Sequence, residues 1–105
     1  MASKKQKALK IAKNFVDYVN KHYKKVSRAF LFGSYSTGKS HRGSDIDIAL
    51  VSSLFSKDAY QDQIELMKLK SHINFDIEPH PFHPSMFRDE NPIVWEIKQR
   101  GIAIK

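Results

Sequence analysis

Apolar residues recur every three or four positions through the first quarter of the chain, from about Lys4 to Lys25. This spacing puts them on one stripe of a helix and leaves the lysines between them on the other side. We therefore predict an amphipathic helix with a basic outer face. The stripe consists of Ala8, Leu9, Ala12, Phe15, Val16, Val19 and Tyr23.

Two short apolar runs follow, each with the length of a buried strand. The first, Arg28 to Phe32, stops at Gly33-Ser34, and the residues up to Thr37 leave room only for a brief helical turn. The second, Asp45 to Val51, alternates acid with isoleucine and then becomes wholly apolar. That pattern predicts a strand whose first residues emerge at the edge of a sheet and whose later residues are buried.

The middle of the chain predicts a helix, a strand and a connection. Ser56 can cap a second helix from about Asp58 to Leu69, and Ile73 to Ile77 has the composition of a third strand. Because proline lacks the backbone donor of an interior ladder, we expect the Pro79 to Pro84 run to be a surface connection.

The last residues predict one more helix and a short strand. Asn91-Pro92 is a helix start, the helix runs to Arg100, and Gly101 stops it. Ile102 to Ile104 can then add a small strand. Helices and strands thus alternate along the whole sequence.

Length and composition favour one globular domain, residues 1–105, that includes a basic helix within residues 1–27. The chain has 105 residues, of which 41% are hydrophobic, and it has no cysteine. Disulfides and thiolate zinc sites are therefore excluded. Since no stretch approaches the roughly 20 apolar residues of a membrane span, we expect a soluble, cytoplasmic protein.

The net charge of +7 is distributed unevenly. Residues 1 to 28 hold nine of the eighteen Lys and Arg residues against one acid, Asp17, so this segment carries +8 and the remainder −1. The basic excess thus belongs to the first helix, where it favours either a solvated face or an acidic partner.

The residues between the first two strands have the chemistry of a phosphate and metal site. A strand that ends at Gly33-Ser34 and turns into a helix presents backbone N–H groups to a phosphate. Asp45 and Asp47 lie about 6.6 Å apart along one face of a strand, from which two carboxylates can converge on a pair of metal ions. Either motif alone would suit an ordinary turn or strand start, but together they favour function.

These motifs resemble the signature of the DNA polymerase β-type nucleotidyltransferase superfamily. The match comprises Gly33-Ser34 through Gly38, followed by Ser44-Asp45-Ile46-Asp47. The resemblance covers residues 29 to 51 closely and the rest of the chain loosely. It implies an α/β (α+β) fold, a small mixed β-sheet with helices packed on one side.

The resemblance also implies an activity and its residues. The reaction would transfer a nucleoside monophosphate, most simply AMP from ATP, to a hydroxyl group and release pyrophosphate. Asp45 and Asp47 would hold two Mg²⁺ ions, and Asp76 would be the third carboxylate, although Glu78 has the same strand parity and competes with it. The expected triphosphate contacts are Gly33, Ser34, Ser44, Lys39 and Arg42.

Larger relatives add a domain that closes over the nucleotide, and this chain is expected to end without one. In that respect it resembles the minimal nucleotidyltransferases paired with HEPN-type helical proteins, which implies an antitoxin and a homo- or hetero-oligomer. A second hypothesis is an antitoxin that acts by binding alone, without catalysis. A third, weaker one is a nucleic-acid-binding protein that uses the lysine-rich helix.

Other patterns have simpler interpretations. Gly33 to Ser40 also satisfies the Walker A pattern, but only four residues separate it from the next strand, which leaves no room for the long helix of a P-loop. We expect surface or loop roles for the five histidines, exposure for Tyr35 and Tyr60, and core positions for the other aromatic residues considered. Those are Phe15, Tyr23, Phe30, Phe32 and Trp95.

Overall fold

A computed structural model describes residues 3–40 and 43–105. Helices and strands alternate through these residues in the order α1 (Lys4–His22), β1 (Arg28–Phe32), α2 (Ser34–Thr37), β2 (Ile46–Val51), α3 (Tyr60–Leu69), β3 (Ile77–Phe82), α4 (Pro92–Arg100) and β4 (Ile102–Ala103). Single 3-10 turns at Lys70–His72 and Pro84–Met86 flank β3. No helix within the described ranges is long and apolar enough to cross a bilayer.

The four strands form one mixed sheet in the order β3-β2-β1-β4. Strand β2 lies antiparallel to β1 and parallel to β3, and β4 lies antiparallel to β1. The register places Phe32 opposite Asp47, and Asp47 opposite Glu78. The predicted α+β fold with a mixed sheet is confirmed. Strand β2 is an interior strand, and its first residues lie between the end of β1 and the start of β3.

Helices cover both faces of the sheet, so the expected packing on one side only is wrong. Ala29 and Leu31 of β1 pack with α1 in one core, whereas Phe30 and Phe32 pack in a second core with residues of α4. Those α4 residues are Val94 and Ile97. Because β1 is apolar on both faces, it requires cover on both. Trp95, expected in the core, is instead 47% exposed, since α4 turns its neighbours inward.

Strand β3 corrects two predictions, the strand at Ile73–Ile77 and the surface connection through the prolines. It begins at Ile77 and continues through Pro79–Phe82. At its two ends, Ile46 N–H donates to the carbonyl of Asp76 and Ser52 N–H donates to the carbonyl of Phe82. Alternate residues of a strand point in opposite directions within the sheet, so Pro79 and Pro81 face away from β2, where an edge strand needs no donor.

A buried carboxylate fixes the start of α3 and corrects the predicted cap. Helix α3 begins after Ala59, and Ser56 donates through its N–H and hydroxyl to Asp62 at 2.8 and 3.1 Å instead of capping the helix. Tyr23 Oη and Lys24 Nζ donate to the other oxygen of Asp62 at 2.6 and 2.8 Å. Burial raises the pKa of this carboxyl, but its hydrogen bonds outweigh that effect and hold the pKa below its ordinary value.

Candidate active site

The turn after β1 is built around Gly33. Its backbone has φ +74°, a conformation that favours glycine, and its carbonyl accepts hydrogen bonds from the N–H groups of Ser36 and Thr37. Ser34 and Tyr35 are the first residues of α2, where N–H groups have no acceptor within the helix. The turn therefore has the backbone arrangement that suits a phosphate oxygen.

Gly33 and Asp47 come into direct proximity across the β1–β2 pair. Since Phe32 lies opposite Asp47 in the register, the residue after Phe32 passes beside the Asp47 side chain. A Cβ atom at Gly33 would collide with Oδ2 of Asp47. Glycine is thus required here for two reasons, its backbone conformation and the close approach of a carboxylate.

Both β2 acids lie where their spacing predicts. Ile46 and Ile48 are buried in the core on the α1 face, so the alternation of the strand turns Asp47 toward the opposite face. Asp45 is exposed immediately before β2, and the side chain of Asp47 is 24% exposed. The two carboxylates share one face at the open end of the sheet, next to the Gly33 turn.

His80 is a site residue that the sequence analysis missed. Its Nε2 lies 3.1 Å from Oδ1 of Asp47, and its ring meets that of Phe32 edge-on, with 4.9 Å between centroids. The expected surface role is wrong because β3 continues through the prolines and brings His80 beside β2. The signal that could have located it is its spacing of two from Glu78, because residues two apart on a strand share one face.

The two candidates for the third carboxylate occupy different positions. Glu78 lies on β3 directly opposite Asp47, and strand alternation gives both the same face. Asp76 precedes β3, is exposed, and borders a groove that Lys4 and Lys7 also line. The structure thus brings Glu78 to Asp47 and leaves Asp76 at the entrance of the strand.

The other expected phosphate contacts, Lys39, Ser44 and Arg42, differ in their surroundings. Lys39 is exposed after Gly38 ends α2, and its N–H donates to the carbonyl of Ser34 at 3.0 Å. Ser44 is buried just before Asp45, and Arg42 lies outside the described residues. Because α2 ends before Lys39, the helix that a P-loop starts at its Lys-Ser is absent from the described chain up to Ser40.

The donor set of this site suits Mg²⁺, which prefers carboxylate oxygens. The described residues hold no ready group of three or more His, Cys, Asp or Glu side chains that could bind a metal ion. That finding is compatible with magnesium, because Mg²⁺ in nucleotide sites is held by one or two carboxylates together with substrate phosphates. The close contact of Asp47 with Gly33 places a carboxylate beside the expected phosphate position.

A mixed sheet with a glycine turn and paired acids at one end is the arrangement expected of a nucleotide-binding α+β domain. The family model of the nucleotidyltransferase domain matches residues 12–98, and the chain belongs to that family. The predicted resemblance to minimal nucleotidyltransferases is thereby confirmed. No curated protein sequence gives a significant match.

Solved structures with the same fold agree with this assignment. One, from Sulfolobus solfataricus and provisionally called a nucleotidyltransferase, is 20% identical to this chain with a TM-score of 0.60. The alignment covers 94% of this chain and 80% of the Sulfolobus chain. A toxin-antitoxin structure with AMP-PNP is 26% identical, with a TM-score of 0.63 and coverage of 89% and 72%. A mutant of the toxin-antitoxin MntA-HpeT is 22% identical, with a TM-score of 0.63 and coverage of 88% and 70%.

Proposed function

We propose that this protein transfers AMP from ATP to a hydroxyl group on a partner protein and so acts as the antitoxin of a toxin-antitoxin pair. The partner would be a HEPN-type helical protein. The observation that carries the proposal is the position of Asp47, whose two carboxylate oxygens lie beside Gly33 and His80 at the end of the sheet. A turn with the backbone arrangement that suits a phosphate therefore lies beside a carboxylate of the kind that binds Mg²⁺.

Each residue of the site has a role in the proposed reaction. Asp45 and Asp47 would hold Mg²⁺ together with phosphate oxygens, Glu78 would be the third carboxylate beside them, and bound Mg²⁺ would neutralise triphosphate charge. The Gly33-Ser34 turn would seat the phosphates that leave. The acceptor oxygen forms a bond to the α-phosphorus, the bond from that phosphorus to the bridging oxygen breaks, and pyrophosphate leaves with the electron pair. The hydroxyl proton passes to solvent.

The nucleotide and the partner are supported by similarity. The toxin-antitoxin structure with AMP-PNP has the fold of this chain, and AMP-PNP is an analogue of ATP. The structure of the MntA-HpeT mutant, a second toxin-antitoxin structure, is also similar to this chain. A tyrosine hydroxyl is the acceptor that we favour, and a cytoplasmic location accords with the proposed reaction.

Two alternatives have specific support. The similarity to toxin-antitoxin structures supports an antitoxin that neutralises its partner by contact alone, because such a role needs the fold but not the reaction. The exposed lysines of α1 favour nucleic-acid binding, which would weaken steeply with salt. Neither alternative gives a role to the Asp47 carboxylate beside the Gly33 turn, whereas nucleotidyl transfer does.

Calorimetry with ATP tests the proposal. Wild-type protein should bind ATP in the presence of Mg²⁺ and much more weakly in EDTA. The double variant Asp45→Asn and Asp47→Asn should lose the magnesium-dependent part of the affinity while it keeps the circular dichroism spectrum of the wild type. Equal ATP affinity in the wild type and the double variant would refute the proposed site.

A further inference from the structure

Two shallow hollows adjoin along the flank of α1 that faces the end of β4. One, of about 480 Å³, is lined by a single stripe of the helix, and the other, of about 220 Å³, lies between α1 and the residues after β4. Lys13 and Asp17 line both hollows, so the two form one continuous groove. Below it, Ile104 packs against the core that α1 covers, which ties the shape of this groove to the fold.

The groove combines cations with apolar surface. Lys10 and Lys13 are exposed, and within the part of the chain that the structure describes neither forms an ion pair with an acid. Leu9, Val16 and Ile104 line the same groove and are partly or fully buried. A partner that carries acids beside apolar residues would match both features.

Charge narrows the choice of partner. A second copy is disfavoured, because each chain has a net charge of +7 and the residues after position 28 sum to only −1. A nucleic acid is disfavoured because Asp17 lines both hollows and would face its phosphates. An acidic protein surface can place a neutral or basic side chain opposite Asp17 and carboxylates elsewhere.

The shape of the groove favours a helix. Strand β4 has only two residues, too short to template an added strand. Lys10 and Lys13 are three positions apart on α1, a spacing of about 5–6 Å between Cβ atoms that acids three or four positions apart on another helix reproduce. A helix with one acidic and one apolar stripe can therefore lie along α1.

We propose that this groove docks an amphipathic acidic helix of the partner protein. Carboxylates of the partner would pair with Lys10 and Lys13, and its apolar side chains would cover Leu9 and Ile104. The inference rests on the proposed function, which supplies a protein partner, and it adds the surface that the partner engages. Because Asp47 is turned to the opposite face of the sheet, docking on α1 leaves the proposed active site open.

Fluorescence anisotropy with three labelled probes tests the groove on the whole chain. The probes are an amphipathic helical peptide of leucine and glutamate, the same peptide with glutamine in place of glutamate, and a single-stranded oligouridine. The acidic peptide should bind at least about 10-fold more tightly than either of the others. The double variant Lys10→Glu and Lys13→Glu should weaken that binding at least about 10-fold, since two attractions become repulsions.

The double variant Lys21→Glu and Lys25→Glu is the matched control. It has the same change in net charge, at two exposed lysines of the same segment that line neither hollow. Its affinity for the acidic peptide should stay within about 3-fold of the wild type. Both double variants should keep the calorimetric Kd for ATP within about 2-fold of the wild type, because neither changes the proposed active site.

The outcomes separate the groove from the proposed function. Equal losses in the two double variants would indicate attraction to net charge alone and overturn the groove. Tighter binding of oligouridine, or equal binding of the glutamine peptide, would overturn it as well. A wild type that binds ATP but not the acidic peptide overturns the groove and leaves the proposed function intact. A wild type that binds the acidic peptide but not ATP supports the groove and contradicts nucleotidyl transfer.

Discussion

The imidazole Nε2 of His80 lies 3.1 Å from Oδ1 of Asp47, while Oδ2 of the same carboxylate lies where a side chain of Gly33 would be. Thirty-three positions separate the histidine from the aspartate in sequence, and the parallel pairing of β2 with β3 brings them together. The contact fixes the orientation of the carboxylate that we propose as a metal ligand. Several expected effects of substitution derive from this arrangement.

His80→Ala should weaken Mn²⁺ binding to the ATP-loaded protein about 10-fold, because residues that orient a ligand contribute to metal affinity. Manganese can be followed by electron paramagnetic resonance, independently of activity. His80→Gln, whose amide nitrogen can reach the position of the imidazole Nε2 and donate to Asp47, should recover part of the affinity. His83→Ala is the control, since His83 Nδ1 contacts Ser85 Oγ at 2.7 Å. Equal losses in the Ala variants of both histidines would show that His80 has no special role.

Gly33→Ala and Gly38→Ala make a matched pair for the phosphate turn. Both glycines have positive φ, +74° and +78°, but only a side chain at Gly33 meets Asp47. Gly38→Ala should cost about 1 kcal/mol of unfolding free energy with ATP affinity retained. Gly33→Ala should cost more and lower ATP affinity at least about 10-fold, since Asp47 must move. Similar ATP affinities in the two variants would contradict the close packing of the turn against Asp47.

Glu78→Gln and Asp76→Asn decide which acid completes the site. From the register we expect Glu78→Gln to lower the rate of AMP transfer by at least about 100-fold, a loss of about 2.7 kcal/mol of transition-state stabilisation. Asp76→Asn should have a smaller effect, because Asp76 precedes β3 and is exposed. Single-turnover kinetics at saturating ATP gives the comparison. The opposite ranking would restore Asp76, the choice made from sequence.

Asp62→Asn should destabilise the fold by about 2 kcal/mol, because the amide cannot accept the hydrogen bonds from Ser56 N and Lys24 on both oxygens. The pKa of Asp62 is lowered in the folded state, so this contribution is fully present above about pH 4 and is lost as the pH falls through the folded pKa. Urea unfolding at pH 7 and at low pH measures both effects. Asp58→Asn, at an exposed neighbouring acid, is the control, and a pH-independent difference would refute the assignment.

Local signals in the sequence were sufficient for much of the fold. Strand β1 has the predicted bounds because an apolar run ends at Gly33, and α4 begins at Pro92 after Asn91, whose side chain accepts from Ile93 N. The spacing of Asp45 and Asp47 also placed the acids on one face. These features depend on backbone propensities and on the period of a strand, which are properties of neighbouring residues.

The remainder depended on tertiary position, which local patterns do not contain. Prolines exclude a strand only where the N–H must bond, so Pro79 and Pro81 could be placed in β3 only by knowing that it is an edge strand. With the strand shifted, His80 joins Asp47, and Glu78 is the acid opposite Asp47 in the register, while Asp76 precedes the strand. Ser56 likewise contacts a buried acid rather than its own helix start.

Intact-mass spectrometry of the partner protein, co-expressed with this chain, tests the central claim most directly. We predict that the partner gains the mass of one or more AMP groups with the wild-type chain, and that it gains none with the double variant Asp45→Asn and Asp47→Asn. The modified residue should be a tyrosine on a helix or loop. A partner that is neutralised equally well by the double variant and never gains mass would contradict enzymatic transfer and establish an antitoxin that acts by binding.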